Sequence, residues 1–468
     1  MGRQAHASSA LGLDHDARVV VVGLGKTGVS ALRFLCRQGI ACLAIDSREQ
    51  PPGLSVAQEL SVPVFTGSLR SDWLCGATHL LVSPGVELDR PEIRTALERG
   101  VALISDIDLF ADQVQGPVVG VTGSNGKSTV TTLVAEMAKA SGIRAVAGGN
   151  LGTPALDLLT EECELYVLEL SSFQLERTRR LKLTAGAILN ISPDHLDRHR
   201  DLASYAAIKG KLLQFSQVKV INGDDPLVGE MARQKGWDAR SDARRSEATS
   251  ENRDWIRFSL TDPEADYGLV RYQGQECLAC RGEPLFAASA VRLVGRHNLA
   301  NALAALALAE AVGVPREGAL STLPHFAGLP HRMQRVAQID GVDWINDSKG
   351  TNIGATEAAI AGLAGPVILL AGGDGKGADF SQLKLAVAGK VRAAVLYGRD
   401  RHLIARALAE VTAIYVVEDL PQAVATARKI ARAGDTVLLS PACASFDQFE
   451  NYQARGECFT REVLRWQQ

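Results

Sequence analysis

The 468 residues exceed what one hydrophobic core holds, and the usual size of a domain predicts about three. With 46% hydrophobic and 22% charged residues, the composition is that of a soluble globular protein. A net charge of −3 provides no polybasic surface, so nucleic acid is not an expected partner.

Residues 1–17 are polar and small, lack the apolar segment of a signal peptide and read as a loose tail. The β-branched run Arg18-Val-Val-Val-Val22 predicts a strand, followed by Gly23-Leu-Gly-Lys-Thr-Gly28 and an amphipathic helix to Gln38. A second strand, Ala41–Ile45, ends at Asp46, and strands at His79–Val82 and Val101–Ile104 complete a first domain over 18–105. Val118-Val-Gly-Val121 opens a second domain, over 106–328, with a helix from Lys127 to Ala140 and strands at Leu165–Leu170, Ala187–Ile191 and Val218–Ile221. The charged stretch 234–254 reads as a surface excursion; short alternating strands to Val294 and an Ala-rich helix, Asn298–Ala311, follow it.

Gly328-Leu-Pro330 reads as a hinge or linker. Beyond it, Arg335–Ile339 and Val342–Ile345 flank the hairpin-turn pair Asp340-Gly341. Parallel-type strands recur at Val367–Ala371, Ala393–Tyr397 and Thr436–Leu439, giving a third domain over 329–468. The class is therefore α/β, with three consecutive domains. The longest apolar stretch, Leu299–Val314, is interrupted by Asn301 and Glu310 and is too short to span a bilayer, so a cytoplasmic protein without membrane insertion is expected. Of eight scattered cysteines only Cys277 and Cys280 form a C-x-x-C, and no second pair completes a zinc site; they read as free thiols of a reducing compartment.

Polar motifs fall just after the predicted strands: Thr122–Ser128, Ser171-Ser172, Asp194-His195, Asn346–Lys349, Gly372–Lys376 and Pro441–Ser445. Ligands of parallel sheets bind outside the carboxyl ends of the strands, so these motifs predict one cleft shared by the second and third domains. Gly120-x-x-Gly123-x-x-Gly126-Lys127-Ser128-Thr129 lies between strand and helix, where glycines let backbone N–H groups reach phosphate oxygens. Lys127 would reach the terminal phosphates of ATP and the Ser128 hydroxyl would ligate Mg²⁺. Val121 stands where the strict motif has its first Gly.

Glu169 breaks an apolar strand. A buried Glu paired with Arg and a Mg²⁺ ligand are the two readings, and its place one strand after the phosphate loop favours the metal. His195, beside Asp194 and Asp197, is either structural or a ligand. Gly23-x-Gly25-x-x-Gly28 with Asp46 fits a dinucleotide fingerprint, but the geometry asks only for a diphosphate near a helix N-terminus, which a UDP-sugar also supplies.

These segments, together with Ser83-Pro-Gly85, Gly149-Asn-Leu-Gly152, Leu168–Gln174, His297-Asn298 with Asn301, and Gly328-Leu-Pro-His-Arg332, make the chain resemble the Mur ligase family over its whole length after the tail. The resemblance implies a Rossmann-like N-terminal domain, a P-loop ATPase-like central domain and a Rossmann-like C-terminal domain. It implies that ATP phosphorylates the carboxylate of UDP-N-acetylmuramoyl-L-alanine, that the amine of D-glutamate attacks the acyl phosphate, and that phosphate leaves.

It also implies roles residue by residue. Lys26, Thr27, Asp46, Ser47, Arg48, Ser83, Gly85, Asn150, Ser171 and Gln174 would hold the UDP-sugar. Gly123, Ser124, Asn125, Gly126, Lys127, Ser128, Thr129, Asn298, Asn301, Arg332 and Asp347 would hold ATP. Ser128 and Glu169 would bind one Mg²⁺, with His195 and a carbamate formed from CO₂ on Lys209 at a second. Thr351, Lys376, Ser445, Phe446 and Tyr452 would hold D-glutamate, and Lys127, His195, Lys209 and Lys349 would serve the chemistry. Tyr452 stands where the family pattern has Phe. A monomer acting on small molecules is the expected state.

Overall fold

The computed structural model describes residues 11–14, 16–159, 162–195, 198–236 and 254–466. Most of the tail, most of the 234–254 excursion, and Leu196 and Asp197 lie outside the described residues.

Five short strands form the first sheet: β1 (Val19–Val22), β2 (Cys42–Asp46), β3 (Val64–Thr66), β4 (His79–Val82) and β5 (Ala102–Ile104). Their order is β3-β2-β1-β4-β5, and every pairing is parallel. The four valines of β1 are all buried, as a central strand covered on both faces requires. Chain order reverses between β1 and β4, and Gly23 and Ser83 leave those two strands at the crevice where such folds bind ligands. The tail is not loose at its inner end: Leu11 and Leu13 pack against the core, and His79 Nε2 lies 3.0 Å from the Leu11 carbonyl oxygen. Two leucines in an otherwise polar segment suffice to anchor it.

The second sheet contains β6 (Val118–Thr122), β7 (Ala145–Gly149), β8 (Leu165–Glu169), β9 (Leu183–Ile188), β10 (Ser216–Asn222), β11 (Trp255–Phe258), β12 (Tyr267–Tyr272), β13 (Gln275–Cys280) and β14 (Glu283–Ala287). The order is β14-β13-β12-β11-β10-β9-β6-β8-β7, parallel except for the antiparallel meander β12-β13-β14 at one edge. β9 begins four residues before the predicted Ala187. Thr184 and Gly186 hide it in the apolar pattern, yet a Cβ on Gly186 would lie 2.1 Å from Ser216 Oγ, so the glycine is what lets β10 begin so close. β3 and β7 were not predicted, the first being only three residues long and the second ending in Gly148-Gly149.

The third sheet joins β15 (Gln334–Ile339), β16 (Val342–Asn346), β17 (Val367–Gly372), β18 (Val391–Tyr397), β19 (Ala413–Val416) and β20 (Thr436–Leu439) in the order β15-β16-β20-β17-β18-β19. β15 and β16 form the predicted hairpin, with Asp340 and Gly341 both at positive φ (52° and 74°), as a two-residue turn requires. The three domains are α/β, Rossmann-like at both ends and ATPase-like in the middle. Among the described residues no helix is long and apolar enough to cross a membrane.

Topology explains the convergence of motifs. β9, β6 and β8 are neighbours, so the segment reaching Asp194, the phosphate loop and Ser171-Ser172 leave one edge side by side. β16, β20 and β17 are likewise neighbours and release Asn346–Lys349, Pro441–Ser445 and Gly372–Lys376. Asp194 follows β9 only after a connecting segment, not directly as expected.

Candidate active site

The phosphate loop is built by its own hydrogen bonds. Gly123 and Gly126 take positive φ (150° and 84°), and Gly126 caps the helix Lys127–Ala140. A Cβ on Gly126 would stand 2.4 Å from Asn301 Oδ1, so only glycine fits. Asn190 anchors the loop from β9's side: its carbonyl oxygen accepts from Ser124 N at 2.9 Å and its Oδ1 from Asn125 N at 2.8 Å. Lys127 Nζ folds back and donates to the Gly123 and Ser124 carbonyl oxygens at 2.8 and 2.7 Å.

Glu169, at the end of β8, is 3% exposed. It accepts hydrogen bonds from Ser128 Oγ and, at 2.8 Å, from Asn150 Nδ2. Burial opposes its charge, but Lys127, these two hydrogen bonds and Arg332 hold its carboxyl below the usual value. Arg332, from the third domain, donates to Ser128 Oγ at 2.5 Å across the domain boundary. Both readings of Glu169 thus have a basis: basic partners are present, and two hard oxygen donors sit together on a phosphate loop. Ser128 and Glu169 fit Mg²⁺, which takes few protein ligands and keeps phosphate and water oxygens. Among the described residues no three His, Cys, Asp or Glu side chains form a ready-made metal cage.

Lys209 projects from the helix Leu202–Phe215 and is 1% exposed. Its Nζ donates to the Gly123 carbonyl oxygen at 2.8 Å and lies 4.7 Å from the Tyr205 ring centroid. Burial, reinforced by Lys127, pushes its pKa well below the ordinary lysine value. His195 takes φ 53°, sets its Nε2 3.7 Å from Asp194 Oδ2, and meets Phe173 edge to face at 5.1 Å.

From the third domain, burial and then Arg332 and Lys127 bring the pKa of Lys349 down to about 8, and its Nζ lies 4.2 Å over the Tyr452 ring. Asn352 Nδ2 donates to Asp194 Oδ2 at 3.1 Å, a second polar link between domains.

A cavity of about 370 Å³ gathers most of these groups. Ser124–Ser128, Asn150, Glu169, Ser171, His195 and Lys209 line it from the second domain; Arg332, Lys349, Thr351, Lys376, Ser445, Phe446 and Tyr452 line it from the third. An adjoining cleft is lined by Asn125, Gly126, Thr129, Asn298, Asn301, Arg332 and Asp347. There Asp347 is pushed up to about 7 by burial, against the pull of hydrogen bonds from Ser440 Oγ (2.8 Å) and Met333 N (3.2 Å).

Other expected residues lie elsewhere. Lys26, Thr27, Asp46, Ser47, Arg48, Ser83 and Gly85 belong to the first domain and do not line this cavity. The Asp46 carboxylate accepts from Leu24 N at 2.7 Å and pairs with Arg48 at 2.6 Å, while Ser83 Oγ donates to the Gly23 carbonyl oxygen at 2.8 Å. Gln174 is 3% exposed and closes a capping box with Ser171 at the start of the helix Ser172–Arg177. Sequence reasoning missed Asn190, Phe173 and Asn352. Asn190's place at the end of an apolar run and Asn352's just before a helix were the available signals.

Comparison with known proteins agrees along nearly the whole chain. Residues 17–105 match the model for the Mur ligase MurD-like N-terminal domain, 121–309 the Mur ligase middle domain and 331–443 the Mur ligase glutamate ligase domain. A UDP-N-acetylmuramoylalanine--D-glutamate ligase of Methylococcus capsulatus is 52% identical over 97% of this chain and 96% of its own. One of the same name from Nitrosococcus oceani is 47% identical over 96% and 97%. Among solved structures, a pseudomurein peptide ligase type C from Methanothermus fervidus shares the fold at TM-score 0.59 and 16% identity, covering 97% of this chain and 100% of that one. Taken with the phosphate loop facing a third-domain pocket, these matches show that the chain belongs to the Mur ligase family, which forms amide bonds at the expense of ATP in peptidoglycan precursor synthesis.

Proposed function

We propose that this chain joins D-glutamate to UDP-N-acetylmuramoyl-L-alanine, releasing ADP and phosphate. The observation that carries the reading is the single cavity in which Lys127, Ser128 and Glu169 face Lys349, Thr351, Lys376 and Ser445. A carboxylate is a poor electrophile, and phosphorylation by ATP converts it to an acyl phosphate that an amine can attack. The full-length relatives of that name support the same substrates.

The chain's own residues divide the work. The loop 123–129 and Lys127 hold the ATP phosphates, Asn298, Asn301 and Asp347 line the cleft for the rest of the nucleotide, and Arg332 adds positive charge from across the boundary. Mg²⁺, held by Ser128 and Glu169 and in a second position by His195 and a carbamate on Lys209, would neutralise phosphate charge. Lys209 suits that modification. Its buried amine favours the neutral form, whose lone pair can bond to the carbon of CO₂ with loss of one proton. The basic groups Lys349 and Lys376, with Thr351, Ser445, Phe446 and Tyr452, form the D-glutamate side of the cavity. The Gly23–Gly28 loop, Asp46 to Arg48, and Ser83 and Gly85 hold the UDP-sugar in the first domain. Catalysis is then chiefly positioning and charge neutralisation.

Phosphate release tests this directly. With Mg-ATP and UDP-N-acetylmuramoyl-L-alanine, release should require D-glutamate and should not be supported by L-glutamate or L-lysine. No release with D-glutamate would sink the proposal.

A further inference from the structure

Two arginines of the second domain grip one loop of the first. Arg177 is 1% exposed; it donates through Nη1 to the Phe173 carbonyl oxygen at 2.6 Å and through Nη2 to the Val86 carbonyl oxygen. Arg198 sets its Nε 3.3 Å from Glu87 Oε1 and its Nη1 3.4 Å from the Gly85 carbonyl oxygen. The same guanidinium lies 4.9 Å over the ring of Phe173. Phe173 lines the main cavity, meets His195 edge to face and stacks on His199 at 5.2 Å. The backbone N–H of Arg198 also donates to the His195 carbonyl oxygen at 3.0 Å. One side chain therefore touches the first-domain loop 85–87 on one side and the aromatic wall beside His195 on the other.

We infer that Arg198 is a positioning residue that fixes loop 85–87 relative to His195 and Phe173. A UDP-linked substrate seated on the first domain thereby presents its carboxylate to the phosphate loop. The inference rests on the reading above, in which Ser83 and Gly85 hold the UDP-sugar. Its physical basis is the planar fork of arginine: it can accept a ring on its face while its edge serves a carboxylate and a carbonyl, a combination one ammonium cannot reproduce. The groups held are the Gly85 carbonyl, the Glu87 carboxylate and the Phe173 ring, not reacting atoms, so the effect should appear in the affinity for one substrate.

The test compares wild type, Arg198→Ala and Arg198→Lys by calorimetric binding of UDP-N-acetylmuramoyl-L-alanine and, separately, of ADP, with steady-state kinetics alongside. Arg198→Ala should weaken the UDP-substrate and lower its kcat/KM about 10-fold or more, with the Kd for ADP and the KM for D-glutamate within about 2-fold of wild type. Arg198→Lys should fall between the two. Unchanged UDP-substrate affinity in Arg198→Ala overturns the inference, and so does an equal loss for ADP, which would mark general destabilisation. Should Arg198→Ala not fold, Arg198→Lys carries the same comparison. A wild-type protein that fails to bind the UDP-substrate would instead sink the first-domain reading, an outcome visible before any variant is examined.

Discussion

Burial decides the protonation of Asp347, and with it a pH dependence of stability. Its carboxyl is pushed from 3.8 to about 7, chiefly by loss of solvent. Between those values the folded protein keeps a proton that the unfolded chain has released. Stability therefore falls as pH rises through this window and levels off above it. Asp347→Asn lacks the ionisation, so its denaturation midpoint relative to wild type should be higher at pH 8 than at pH 5, while ADP binding weakens. An equal difference at both pH values would show that the carboxyl titrates normally. Lys127 belongs to the same scale. Removing its amine from the phosphate loop should lower turnover by about 10²–10³-fold or more, with the far-ultraviolet spectrum and melting curve of Lys127→Ala unchanged. Retained turnover would remove the loop from the mechanism. Lys209 supplies the third residue-level test: activity at fixed pH should rise to saturation as CO₂ is restored to degassed enzyme, and a flat response would count against the carbamate.

Elements show most plainly where local pattern was enough. The helix Lys127–Ala140 and the strands His79–Val82 and Thr436–Leu439 have the bounds their apolar periodicity predicts, because each starts or stops at a change of residue type. The start of β9 and the whole of β7 escaped because Gly186, Gly148 and Gly149 are set by close tertiary neighbours, Ser216 Oγ and the Thr153 and Glu169 carbonyl oxygens, rather than by strand propensity. Gln174, expected to hold the UDP-sugar, is buried and closes a capping box with Ser171 at the start of the helix Ser172–Arg177, a contact its three-residue spacing from Ser171 makes locally. The turn opening the first domain makes a sharper test. A Cβ on Gly28 would meet the Gly23 carbonyl oxygen at 1.9 Å, a backbone atom that cannot step aside. Gly28→Ala should cost about 2 kcal/mol or more and abolish UDP-substrate binding while leaving ADP binding in the second domain. Normal UDP-substrate affinity in that variant would show that the turn has room to relax.

At the scale of the molecule the two domain boundaries differ in kind. One hydrophobic cluster runs from Leu32 and Leu35 in the first domain through Phe110 to Tyr166 and Leu168 in the second, with Phe110 and Tyr166 edge to face at 5.4 Å. The third domain has two apolar clusters of its own, with Val294 of the second packed against one of them. Across the cavity it meets the second domain through polar pairs, Arg332 with Ser128 and Asn352 with Asp194. Polar links can exchange for water or ligand at little net cost, whereas splitting an apolar core exposes it. The third domain is therefore the part expected to move, about Gly328–Pro330, and small-angle scattering should show a smaller radius of gyration with an ATP analogue and both other substrates present. An unchanged radius would rule out that hinge. By itself, the sequence determined the class, the phosphate loop and the order of the motifs, because glycine spacing, strand runs and strand-end polar residues are local patterns. The tertiary structure alone decided that β9, β6 and β8 would lie side by side facing β16, β20 and β17, and that Asn190, Asn352 and Arg198 would join segments distant in the chain. Strand order and burial depend on what packs against each segment, and no local pattern carries that.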